Sequence, residues 1–157
     1  VLDRYGAALT ELAARPEAAD DPASAASAAW RAVVVAGSAL ADDVTARIRA
    51  RRVDGVVVVP PPGSDRSWVH RALRVVPAID RPEISFTWCG WSPGIGQRAS
   101  DGVVVDDTVA HARGTGTVRL VDGDWRLAAL DQTELVLLGP GSPDPCPAEV
   151  ERARSTP

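Results

Sequence analysis

Three features of the sequence predict an α+β fold, with N-terminal helices packed on a curved antiparallel sheet. Apolar residues recur at helical spacing up to about Arg52, and β-branched residues alternate with polar ones after Asp54. An Asp-Gly pair, Asp122-Gly123, then joins the last two alternating runs, a strong local signal for a hairpin. Helices followed by strands imply two layers, the helical stripe covering one sheet face. The chain has 157 residues, which fits one domain with its own core. The expected domain covers residues 1–138, and residues 139–157 form a Pro-rich tail.

Each element has its own justification. Leu2, Tyr5, Leu9 and Leu12 define a first helix over 2–14, ended before Pro16. Asp21-Pro22 reads as the next start, a capping acid followed by proline at the first helical position. Trp30, Val33, Leu40, Val44 and Ile48 carry the stripe onward, with Gly37-Ser38 as a break and Ser38 as the following cap. "GVVVVPPPG" is a short strand stopped by prolines. "SWVHRALRVVPAI" and "EISFTWCGW" flank a turn at Asp80-Arg81-Pro82, and "DGVVVDD" is a short strand or loop edge. In the run over 108–120, alternation puts Thr108, Ala110, Ala112, Gly114, Gly116, Val118 and Leu120 on one face. That face is small and apolar, so another element can approach closely. The opposite face, with His111, Arg113, Thr115, Thr117 and Arg119, suits solvent or a pocket rim.

Composition excludes several classes. Hydrophobic residues make up 45% of the chain and the mean hydropathy is −0.04, values of a soluble globular protein. No apolar run approaches the ~20 residues that span a bilayer. Nothing at the N-terminus reads as a signal peptide, and a chain starting at Val1 fits either a trimmed mature fragment or a GTG start read as Val. All 17 basic residues are Arg, a bias that points to a GC-rich bacterial genome. With 21 acids the net charge is −4, so no nucleic-acid partner is expected. "RIRARR", residues 47–52, is a local exception that suits phosphate or lipid headgroups. Arg in a helix's last turn, complementing the macrodipole, is the simpler account.

The second half resembles a known superfamily. "ISFTWCGW", then "SDGVVVDDTVAHARGTGTVRLVDGDWRLAALDQTELV", then a late Cys is similar to small extracytoplasmic proteins of high-GC bacteria with the nuclear-transport-factor-2-like (cystatin-like α+β cone) fold. The matching features are Cys89, Asp101-Gly102, Asp122-Gly123, Trp125 and Cys146, over residues 54–146. The resemblance implies a cone whose pocket, in ketosteroid isomerases and polyketide cyclases, holds an Asp or His acting as acid or base. No position here matches those catalytic residues individually. A rival resemblance exists. "RIRARRVDGVVVVPPPGSD" is similar to the helix, strand and loop of periplasmic-binding-protein-like sensors, but no repeated βα pattern follows it.

Cys89 has three readings. A redox motif needs a second thiol at C-x-x-C, and position 92 is Ser92. A nucleophile needs a base, which His70 or His111 would have to supply without any local signature. A Cys89–Cys146 disulfide is the reading adopted, since one Cys lies on a strand and the other in a tail with little else to hold it. Such a bridge implies an oxidising compartment, and two buried free thiols in a cytosolic protein are the alternative. No metal or cofactor is expected, because two histidines lack a zinc-like spacing. His70, His111 and Asp131 are the candidate acid–base residues, with exposed sheet positions as the plainer reading of each. Trp30 and Trp125 fit the core. Trp88 and Trp91 fall on opposite sheet faces and are the candidate ligand or partner surface.

The function expected from these residues is a non-catalytic binding or accessory protein of the cell envelope. Its partner would be another protein or a small apolar ligand, with membrane association only through an N-terminal anchor outside this sequence, and a homodimer compatible. One alternative is an isomerase- or cyclase-like enzyme; another is a fragment of a periplasmic-binding-protein-like sensor. A pocket above ~300 Å³ with a buried His or Asp would favour the enzyme, and one filled by Trp and Val the binding protein.

Overall fold

The computed structural model describes residues 1–155. It is an α+β protein, with four α-helices and two antiparallel sheets among the described residues. Helix α1 spans Leu2–Ala14 and stops before Pro16, which opens a 3-10 turn over Pro16–Asp20. Helix α2 spans Ala25–Val33, later than Asp21-Pro22 predicted. Asp21 instead closes a turn by accepting from the Ala23 N–H at 2.9 Å, and the cap is Ser24, whose hydroxyl accepts from the Ser27 N–H at 3.2 Å. Ser38 caps helix α3, Ala39–Val53, as expected, accepting from Ala41 N–H at 3.2 Å.

Seven strands follow: β1 Val56–Val59, β2 Val69–Pro77, β3 Glu83–Ser92, β4 Ile95–Arg98, β5 Val104–Asp106, β6 Val109–Val121 and β7 Asp124–Leu138. The long strands form one sheet in the order β2-β3-β6-β7, and the short ones a second in the order β1-β4-β5. The β6–β7 hairpin closes through Asp122 and Gly123, both at positive φ (53° and 86°), the geometry for which Asp-Gly is selected. A binding-protein lobe would need a parallel sheet, and among the described residues every pairing between these seven strands is antiparallel, the one parallel bridge being the isolated Val34–Leu127 contact.

Helices α1 to α3 cover the inner face of the large sheet. Leu12, Trp30, Val34, Val44 and Ile48 meet Phe86, Trp88, Val118 and Leu127 there in one core. Burying each large side chain contributes about 2 kcal/mol before chain entropy is counted. Gly114 and Gly116 are required by close approach on this face. A Cβ at Gly114 would lie 1.8 Å from the Asp131 carbonyl oxygen, and one at Gly116 would lie 2.4 Å from the Phe86 ring. The small face of β6 is thus the helix-side face, as its composition predicts.

The tail differs from expectation. Helix α4, Cys146–Ser155, follows the proline-rich stretch and packs on β2 and β3 from the outer side of the large sheet. The outer face of β6, assigned to solvent or a pocket rim, is therefore partly roofed. Among the described residues no helix is long and apolar enough to cross a membrane.

Candidate functional site

A cavity of about 540 Å³ lies between the helices and the inner face of the large sheet. It exists because the opposed side chains are unequal. Helix α3 presents Leu40, Val44, Arg47, Ile48 and Arg51, spaced along one helical face. The sheet side of the lining includes Gly90, Ala110 and Ala112, whose side chains are too short to fill the space. Tyr5 and Leu9 of α1, Trp68 and Trp88 add further wall. Leu135 and Leu137 of β7 also line the cavity yet are 51% and 65% exposed, so they mark its open end.

His70 stands in the wall, one strand position across from Gly90. Tyr5 and Trp88 contact its ring edge-on, with centroids at 5.2 and 5.4 Å. Desolvation by these neighbours pushes the imidazole down to about 4, so it is neutral at physiological pH. Its Nδ1 is sealed from solvent without a hydrogen-bond partner, so the ring can meet a ligand only through Nε2. Burial likewise raises the Tyr5 phenol to about 12, partly offset by the charge of Arg47. Trp88 is buried and donates from its indole N–H to the Thr115 carbonyl at 2.9 Å, so it is wall and not exposed surface. Trp91 sits across from His111 in the register and also borders the cavity, its indole nitrogen buried and unpartnered.

"RIRARR" divides between two surfaces. Arg49 and Arg52 turn to Asp20, Arg49 Nε at 2.7 Å, and so fasten α3 to the 3-10 turn. Their hydrogen bonds hold the Asp20 carboxyl below its usual range. Arg47 and Arg51 instead line the cavity. The Arg51 guanidinium lies 5.7 Å over the Trp68 ring, and desolvation followed by the charge of Arg47 lowers its pKa.

The outer face carries a different cluster. Cys89 and Cys146 form a disulfide with Cα atoms 5.6 Å apart. His111 lies beside it, Nε2 3.4 Å from Cys89 Sγ and 3.1 Å from Glu149 Oε1. Arg113 clamps the buried Glu149 through two hydrogen bonds of 2.8 and 2.9 Å. Burial pushes the Glu149 carboxyl up, but Arg113, with His111 and Arg152, outweighs it and holds the carboxyl low. Cys89, His111 and Cys146 would have the ligand types of a metal site, but the disulfide occupies both sulfurs.

Of the three candidate acid–base residues, only His70 reaches the cavity. His111 is not an exposed sheet position: it is covered by α4, which the sequence did not reveal. Asp131 is exposed on β7 and takes no part in either cluster. Arg51 and Arg52 do stand in the last turn of α3, as the dipole account expects, but that account did not place Arg47 and Arg51 on the cavity. Their i, i+4 placement in register with Val44 and Ile48 is the signal that could have put them on the inner face. Comparison with protein-family models, curated proteins and solved structures finds no match for this chain.

Proposed function

We propose that this protein is an extracytoplasmic, non-catalytic binding protein whose cone-like pocket takes a small, largely apolar molecule. The observation that carries the reading is the cavity itself: about 540 Å³, walled by Leu9, Val44, Ile48, Trp68 and Trp88, and open beside Leu135 and Leu137. That volume is within the range of pockets that enclose drug-sized ligands. The Cys89–Cys146 bridge supports an oxidising compartment.

A second reading, an isomerase- or cyclase-like enzyme with His70 as acid or base, is favoured by one observation. The cavity exceeds ~300 Å³ and has a half-buried, desolvated histidine in its wall, close to the combination expected of an enzyme pocket. Two features weigh against it. A pKa of about 4 makes His70 a feeble base at neutral pH, and its Nδ1 has no carboxylate to orient the ring.

Binding is tested by titrating the protein with Nile red, a neutral apolar dye, and following dye emission and Trp quenching. Saturable one-to-one binding that is competed by a long-chain alcohol is expected. No saturable binding would overturn the reading. Incubating the protein with a β,γ-unsaturated ketone in D₂O and following deuterium uptake separates the two readings. Exchange that is abolished in His70→Gln would establish the enzyme.

A further inference from the structure

We infer that the pocket's ligand carries a single carboxylate on an apolar chain, and that Arg47 and Arg51 of the cavity wall receive it. The inference rests on the binding reading above. Two guanidiniums lie one turn apart on the cavity side of α3. Like charges at i, i+4 repel, so such a pair costs helix stability unless an anion sits between them. Neither makes an ion pair or donates a hydrogen bond to an acceptor among the described residues, whereas Arg49 and Arg52, on the same helix, share Asp20. Arg51 is held over Trp68 and is partly desolvated, which strengthens its attraction for an incoming anion.

Charge count selects the head group. Asp106 also lines the cavity and is electrostatically coupled to Arg51. Two positive charges and one negative leave one net positive charge, which matches a monoanion better than a doubly charged phosphate. The planar fork of Arg suits a carboxylate in particular. The apolar part of such a ligand has its path marked by Leu135 and Leu137 at the opening and by Val44, Ile48 and Trp88 within. His70, neutral, adds no charge to the lining.

The test uses the intact protein at pH 8, with Trp fluorescence as readout and three ligands of one chain length: tetradecanoate, tetradecanol and tetradecyltrimethylammonium. Tetradecanoate should bind at least about tenfold more tightly than the alcohol, the worth of one charge-assisted hydrogen-bonded contact. The cation should bind least. Arg47→Gln/Arg51→Gln should remove the preference for the acid while leaving the alcohol's affinity within about twofold. Added salt should weaken the acid alone, a second measurement on the wild-type protein that does not depend on the variant folding. Acid and alcohol binding equally would overturn the carboxylate inference and leave the apolar pocket standing. Failure of all three ligands to bind would overturn both.

Discussion

The two faces of the large sheet treat a histidine in opposite ways. On the inner face His70 is neutral, edge-packed by Tyr5 and Trp88, and without a partner at Nδ1. On the outer face His111 lies within a chain of contacts that runs from Cys89 through Glu149 to Arg113. The outer face spends its polar groups on holding a helix in place. The inner face leaves polar groups unspent and keeps an opening beside them. Buried unpartnered polar atoms occur on both sides, Arg71 Nε beside Cys89 as well as His70 Nδ1, and what sets the inner face apart is the cavity that it borders.

The largest expected effect breaks the outer face. Cys89→Ala/Cys146→Ala opens a loop of sequence separation 57, and the chain-entropy model assigns that bridge about 4 kcal/mol. Urea unfolding of the wild type with and without reductant should show a loss of this order. Dye binding in the cavity should survive wherever the reduced protein is folded, because neither cysteine lines the cavity.

The inner face is sharpened by acid. His70 shifts from 6.5 unfolded to about 4 folded, so the unfolded chain binds the extra proton between those values. Stability contributed by the neutral ring is present above pH 6.5 and falls as pH drops toward 4, by roughly 3 kcal/mol. His70→Gln should flatten this part of the pH–stability curve. An unchanged curve would show that the imidazole is wetter than its packing implies.

The smallest effect returns to the outer face. Glu149→Gln removes the charge that Arg113 and His111 share, and with Arg113 42% exposed the cost should be about 1 kcal/mol. Because the Glu149 carboxyl is held low, its contribution is present above the ordinary carboxylate range and is lost as pH falls through its depressed value. The variant should therefore differ from wild type at neutral pH and converge with it in strong acid.

Legibility followed locality. The β6–β7 hairpin, the Ser38 cap and the end of α1 before Pro16 are written in a few adjacent residues, and all three stand in the structure. Strand β4 was not foreseen, because "IGQR" is short and carries a glycine. Helix α4 was equally hidden. Half of its ten residues are polar or charged, and much of what holds it is distant in sequence: Cys89, His111 and Arg113. Missing α4 is what sent His111 to the surface. The cavity escaped for the opposite reason. Ala110 and Ala112 read as an invitation to close packing, yet together with Gly90 they line open space instead. Small residues permit either outcome, and only the facing helix decides.

The covalent link between Cys89 and Cys146 turns the end of β3 and β4 through β7 into a ring, with α1 to α3, β1 and β2 outside it. A single cut anywhere inside that ring, for instance at the exposed Asp122-Gly123 turn, changes the chain's connectivity without dividing the molecule. The nicked protein would run as two pieces on a gel only after reduction. Both halves of the cavity wall contributed by the ring, Ala110 and Ala112 on one side of the cut and Leu135 and Leu137 on the other, would stay tethered to the same body. Peptide-bond scission in this segment would therefore be silent in intact size, and its only trace in mass would be one added water.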